Sequence, residues 1–92
     1  MTQKERIKQM ESLFDKSNEV IQQLGQAIDD FRALQETIAE LETYYNTDWR
    51  TDFEADEAGL LPAKLKRGVL SEDGLWDLLE EYNRLKEMLE DA

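Results

Sequence analysis

Apolar residues recur at steps of three and four along the first 46 residues, which is the spacing of one helix face. This segment has no Pro and a single Gly, and Thr2 followed by Glu5 is the pattern of a capping box. The pattern predicts one long helix over about residues 3–46, about 65 Å in length. Its apolar positions are Ile7, Met10, Phe14, Ile21, Leu24, Ile28 and Phe31, with polar Ser17 on the same face, then Leu34, Ile38, Leu41 and Tyr45.

Two places are candidates for a break in this helix. Ser17-Asn18 lies in a run of poor helix formers, and Gly25 costs about 1 kcal/mol relative to Ala in a helix interior. We interpret Gly25 as a close-packing site, because neither place has the Pro or paired turn residues of a helix stop. A break at either place would instead give a compact three-helix bundle. The consecutive steps of three at Ile28, Phe31 and Leu34 also indicate a three-residue stammer.

Residues 46–70 are irregular in pattern and predict a compact elbow. Asn46-Thr47-Asp48 offers a helix stop followed by a new cap, and a short helix is expected over about residues 48–58. Gly59 fits the position just past its end, and Pro62 follows as helix ends prefer. We expect Leu60 and Leu61 to hold this loop against the core.

A second amphipathic helix is predicted over about residues 72–90. Ser71 fits its N-cap, and Leu70 and Leu75 fit the two positions of a hydrophobic staple. We expect this helix to run back antiparallel to the first. The fold class is therefore all-α, with residues 1–92 as a single helical domain.

The two predicted helices differ greatly in length. The second, at about 28 Å, cannot cover an apolar stripe of about 65 Å. The face between Ile7 and Leu24 therefore needs another surface, either a homodimer or a protein partner. The three-helix alternative would cover that face internally.

Composition excludes several classes of function. The chain has 22 acidic and 11 basic residues, a net charge of −11, no Cys and no His. It therefore lacks disulfides, thiolate ligands and imidazole bases. Its negative field disfavours direct contact with nucleic acid or anionic membranes. Without an apolar signal region or a stretch long enough to span a bilayer, we expect a cytoplasmic protein.

The acidic run from Asp52 to Glu57 resembles the first half of a calcium loop. That loop needs Gly at its sixth position and Glu at its twelfth, where this chain has Glu57 and Ala63. We therefore predict no metal site. Lys66 and Arg67 form the only basic cluster, which we interpret as a clamp onto the acidic run in preference to an anion site.

Ser71 is the candidate nucleophile of this region, but no His is available as its base. Its N-cap role explains it better, and we predict no catalytic or cofactor-binding residue and no cofactor. We expect the aromatic side chains to form a small core, with Trp76 as the member at a partner surface. These side chains are Tyr44, Tyr45, Trp49, Phe53, Trp76 and Tyr82.

The run LKRGVLSEDG at residues 65–74 resembles the signature of a bacterial family, domain of unknown function 4298. The resemblance continues upstream through Tyr44-Tyr45 and downstream through residues 75–79. It supports one helical fold unit and adds no activity. The signature and candidate interaction residues are Trp49, Asp52, Lys66, Arg67, Gly68, Ser71 and Trp76.

These observations together favour a small cytoplasmic helical protein that acts through protein contacts, as a homodimer or with a partner, and that is not an enzyme. One alternative is an enzyme that uses Asp, Glu, Lys or Ser chemistry in a pocket with shifted pKa values. Another is an acidic inhibitor that imitates nucleic acid.

Overall fold

The computed structural model describes residues 1–91, and within them the regular structure is helical, which confirms the predicted all-α class. Residues 1–91 contain four α-helices, in the order α1 (Gln3–Ala33), α2 (Gln35–Asn46), α3 (Trp49–Glu57) and α4 (Gly74–Asp91). A 3₁₀ helix, Gly68–Leu70, precedes α4.

Helix α1 begins with the predicted capping box. The Glu5 N–H donates to Thr2 Oγ1 at 3.1 Å, and the Thr2 N–H donates to Glu5 Oε2 at 3.3 Å. The helix then runs for 31 residues without a break at Ser17-Asn18 or at Gly25. A Cβ atom added at Gly25 would have no atom within 4 Å, so the predicted close packing at this residue is wrong for the chain by itself.

The predicted helix over residues 3–46 is divided at Leu34. Helix α1 ends at Ala33 and α2 begins at Gln35. The Leu34 N–H donates to the Phe31 carbonyl at 3.1 Å, a bond that spans three residues and tightens the last turn. The division falls at the predicted stammer, where the apolar spacing of three already departs from a regular helix.

The chain forms two compact units. The amino-terminal unit covers Met1–Gln35 and consists of α1 with its flanking residues. The carboxy-terminal unit starts at Glu36 and contains the elbow and α4. The expectation of one domain over residues 1–92 stays a prediction.

The elbow contains the expected short helix, α3, which ends in a Schellman motif. Gly59 has φ +73°, a conformation that favours glycine. The Gly59 N–H donates to the Asp56 carbonyl and the Leu60 N–H to the Ala55 carbonyl, both at 3.0 Å. Of the two leucines expected to hold the loop, Leu61 packs on the core and Leu60 is exposed.

The core of the carboxy-terminal unit is small and draws on every helix of that unit. Five buried side chains form it, and the aromatic residues expected there pack around them, except Trp76, which is 49% exposed. The buried residues are Ile38, Trp49, Leu70, Leu75 and Leu79, with Leu41, Tyr44, Tyr45, Phe53, Leu61 and Tyr82 packed against them.

Helix α4 begins two residues later than predicted, and its predicted cap is wrong. The first bond of the helix runs from the Asp77 N–H to the Asp73 carbonyl at 2.8 Å. Ser71 instead ends the 3₁₀ helix, since its N–H donates to the Gly68 carbonyl at 3.2 Å. Both staple residues, Leu70 and Leu75, are buried in the core.

Candidate functional site

Helix α1 carries an exposed apolar face, which we call the α1 stripe. No residue of α1 is buried, and each side chain of the stripe is at least half exposed, up to 68% at Ile21. Its members are Ile7, Met10, Leu13, Phe14, Val20, Ile21 and Leu24. So many large apolar side chains on one exposed face are typical of a surface that binds another protein.

Two residues of this stripe were missed by the sequence reasoning. Leu13 and Val20 each directly precede a stripe residue, Phe14 and Ile21, and so lie on its edge. Their spacing of seven is the available signal, because it adds a third apolar column to the helix face. A helix with three such columns presents a broad face rather than a narrow seam.

The charges around the α1 stripe are balanced. Residues 3–28 contain four acidic and four basic side chains, so this part of the chain has no formal net charge. The remaining 18 acidic and seven basic residues lie beyond it and carry the whole net charge of −11. The apolar face is therefore on the one long segment where the charge of the chain does not oppose association.

Trp49 ties the elbow together. Its indole Nε1–H donates to the Val69 carbonyl at 2.9 Å, which joins α3 to the 3₁₀ helix. Its ring stacks on Phe53 with centroids 4.9 Å apart and meets Tyr45 at 5.2 Å. With only 8% of its surface exposed, Trp49 is part of the core and not of a contact surface.

Asp52 is held by a tyrosine from the preceding helix. The Tyr44 hydroxyl donates to Asp52 Oδ2 at 2.6 Å. Burial raises the pKa of Tyr44 to about 12, and the hydrogen bond to Asp52 and the charges of Asp52 and Asp48 act in the same direction. The phenol therefore stays protonated and fastens α2 to α3.

Arg67 confirms the predicted clamp onto the acidic run. Its guanidinium lies 2.9 Å from Asp56 Oδ1, and both side chains are partly buried. Lys66 is exposed beside it. Gly68 has open space where a Cβ would stand, so its small size is not needed for packing within the chain.

Ser71 lies on the surface, and within residues 1–91 its hydroxyl has no hydrogen-bond partner. A Cβ added at Gly74 would collide with Ser71 Oγ, so Gly74 gives this hydroxyl the space it occupies. A nucleophilic serine needs a base within hydrogen-bond reach, and none is in place here.

The acidic side chains do not converge on a cation site in the part of the chain that is described. No three Asp or Glu side chains of residues 1–91 come close enough together to hold a metal ion. Over the same residues, no helix has both the length and the apolar character that a bilayer crossing requires.

The structure brings Trp49, Asp52 and Arg67 together in the elbow, where each holds a neighbouring element. Trp76 and Lys66 are exposed. The sequence signature therefore describes mainly how the carboxy-terminal unit is built, whereas the α1 stripe lies outside the signature.

Comparison with known proteins gives one match. No curated protein and no solved structure matches the chain. The family described as "Domain of unknown function (DUF4298)" matches residues 7–91, which include both the α1 stripe and the elbow with its signature. The chain belongs to the family of domain of unknown function DUF4298.

Proposed function

We propose that this chain is a small cytoplasmic protein-binding module, and that the α1 stripe is its contact surface. The observation that carries the proposal is the exposure of seven large apolar side chains on one helix, none of them covered within the chain. Burying such side chains contributes roughly 1.5–3 kcal/mol each. Contact with another protein is the process that would bury them together.

In this proposal the two units have different roles. The carboxy-terminal unit has its own core, the ion pair between Arg67 and Asp56, and the Trp49 and Tyr44 hydrogen bonds that fix the elbow. The amino-terminal unit has a regular helix and no core of its own. The carboxy-terminal unit therefore supplies a folded, strongly acidic body, and the amino-terminal unit supplies the contact surface.

The proposal is tested by capture with a matched pair of variants. Ile21→Asp places a charge within the α1 stripe, and Gln22→Asp places the same charge one residue away, on an exposed polar position. Tagged wild-type protein and both variants are incubated with an extract of cells that make the protein, and bound proteins are identified by mass spectrometry.

We expect the wild type and Gln22→Asp to retain the same proteins, including untagged copies of the chain, and Ile21→Asp to lose them. Circular dichroism checks that Ile21→Asp keeps its helix, as expected for a side chain that is 68% exposed. Identical capture by all three proteins would contradict the proposal.

A further inference from the structure

We propose that a second copy of this chain covers the α1 stripe, in an antiparallel helix pair whose twofold axis passes between Asp15 and Lys16. This inference rests on the proposed function and specifies its partner. Its support comes from the positions of the exposed side chains along α1 and from where the charge of the chain lies.

The α1 stripe is complementary to itself when it is reversed. In a twofold-symmetric pair the same patch serves both partners, so the stripe of one copy must fit against the stripe of the other. An axis between residues 15 and 16 places opposite one another the residues whose numbers sum to 31. The facing positions on the two copies are Ile7 with Leu24, Met10 with Ile21, and Phe14 with Ser17. Leu13 and Val20 lie at the edge of this row of pairs, and their levels along the axis differ by about 3 Å.

Ser17 is the polar residue on this face, and the antiparallel arrangement gives it a suitable neighbour. It lies opposite Phe14, so its small side chain faces the largest ring of the stripe near the axis. Pairing of large with small side chains across an interface lets the two surfaces interdigitate. In a parallel pair Ser17 would meet Ser17 and Phe14 would meet Phe14.

Charge distinguishes the antiparallel pair from the parallel one. The whole net charge of −11 lies after residue 28, beyond the carboxyl end of the stripe. A parallel pair places two such charges at the same end. An antiparallel pair over residues 3–28 attaches them to opposite ends, about 38 Å apart along the axis. The two points of attachment are thus several Debye lengths of about 8 Å apart at physiological ionic strength, and repulsion between the charges next to them is screened.

The helix dipoles favour the same orientation. The amino end of a helix carries partial positive charge and the carboxyl end partial negative charge. In the antiparallel pair the amino end of each α1 lies beside the carboxyl half of its partner. The pairing of Phe14 with Ser17, the net charge and the helix dipoles therefore favour the antiparallel arrangement.

Distances between spin labels test the orientation directly. The chain has no Cys, so single substitutions give unique attachment sites. Ser12→Cys, Glu19→Cys and Gln26→Cys are suitable because all three positions are exposed, polar and spaced by seven, on the side of α1 away from the stripe. Each variant carries one nitroxide, and pulsed electron paramagnetic resonance measures the distance between the two copies.

The antiparallel pair predicts that the distance depends on position. Labels at residues 12 and 19 lie at equal distances from the axis, offset by about 10 Å along the helix, whereas labels at residue 26 are offset by about 32 Å. We therefore expect equal, short distances for Ser12→Cys and Glu19→Cys and a clearly longer one for Gln26→Cys. Circular dichroism and sedimentation of each labelled protein show that it matches the wild type.

Equal distances at all three positions would overturn the inference in favour of a parallel pair. A chain that stays monomeric at the concentrations used would also overturn it. Neither result decides the proposed function, because capture of a different protein through Ile21 is measured separately.

Discussion

At the scale of single residues, the Tyr44 hydroxyl links helices that are adjacent in the chain through a carboxylate eight residues away. It donates to Asp52 at 2.6 Å. Asp52 belongs to the acidic run that resembles a calcium loop in sequence, but its role in the structure is to accept a hydrogen bond from this phenol. The link depends on pH, because only the protonated phenol can donate.

The fold should lose stability at high pH through Tyr44. Its pKa is about 12 in the folded chain against an ordinary value of 10.0, so the folded state holds the proton more tightly than the unfolded state. The resulting stabilisation is fully present below pH 10 and is lost as pH rises towards 12. Urea unfolding at several pH values measures it.

Tyr44→Phe serves as the comparison, since it removes the titrating hydroxyl and keeps the ring. The gap in free energy of unfolding between wild type and variant should narrow across this alkaline range. A gap that stays constant from pH 9 to 12 would show that folding does not raise the pKa of Tyr44.

Substitution by Ala should change the stability of the fold in opposite directions at Gly25 and Gly59. Gly25→Ala should raise the helicity of α1 and stabilise it by about 1 kcal/mol, because a Cβ meets open space there and Ala is the better helix former. Gly59→Ala should destabilise the carboxy-terminal unit by about 1–2 kcal/mol, because φ is +73° at that position. Thermal unfolding followed by circular dichroism reports both, and the same sign for both substitutions would contradict this account.

The backbone conformation of Gly59 at the end of α3 could be predicted from the sequence, whereas the packing around Gly25 could not. Gly59 stands just past a short polar helix with Pro62 following, a local pattern that determines the backbone. At Gly25 the local pattern gives only the cost of glycine in a helix. Whether anything packs against that position depends on the surroundings, which sequence spacing does not contain. The predicted N-cap role of Ser71 was wrong for a related reason. Ser71 ends the 3₁₀ helix, and α4 begins only at Gly74.

At the scale of elements, the elbow is joined by side-chain contacts between segments that are far apart in sequence. Trp49 reaches Val69 across 20 residues, and Arg67 reaches Asp56. The charge pattern predicted the second contact, because a basic cluster and an acidic run flank one short loop. The hydrogen bond from Trp49 to the Val69 carbonyl was not predicted, because any residue can supply a backbone carbonyl and the sequence pattern does not indicate which one.

The two tryptophans should differ strongly in their contribution to stability. Trp49→Phe removes the Nε1–H bond to Val69 and part of the core, and should lower the free energy of unfolding by about 1 kcal/mol or more. Trp76→Phe changes a side chain that is half exposed and should lie within about 0.5 kcal/mol of wild type. Urea unfolding of the two variants measures the difference. Equal losses in the free energy of unfolding would mean that the hydrogen bond from Trp49 to the Val69 carbonyl does not stabilise the elbow.

The predicted long helix is divided into α1 and α2 at Leu34. The apolar spacing located the irregularity at residues 28–34 but did not show that the backbone responds by ending one helix and starting another. A stammer can be absorbed by overwinding or by a break, and the bond from Leu34 to Phe31 shows the second outcome. Helix α1 is thereby shortened to about 46 Å.

At the scale of the whole molecule, the net charge of the chain and the α1 stripe lie in different segments of the sequence. The α1 stripe lies in a segment with equal numbers of acidic and basic residues, and the net charge lies after it. The sequence predicted the uncovered face from helix length alone. The edge residues Leu13 and Val20 lie outside the spacing of three and four on which that prediction rests, and the structure shows that both are exposed.

The measurement that tests the central claim most directly is sedimentation equilibrium of the wild type and Ile21→Asp over a range of salt concentrations. We predict that the wild type forms a dimer that weakens at low salt, where two chains of −11 are poorly screened, and that Ile21→Asp is a folded monomer. Gln22→Asp should remain a dimer. A wild-type chain that stays a folded monomer at high protein and salt concentration would contradict the claim that a second copy covers the α1 stripe.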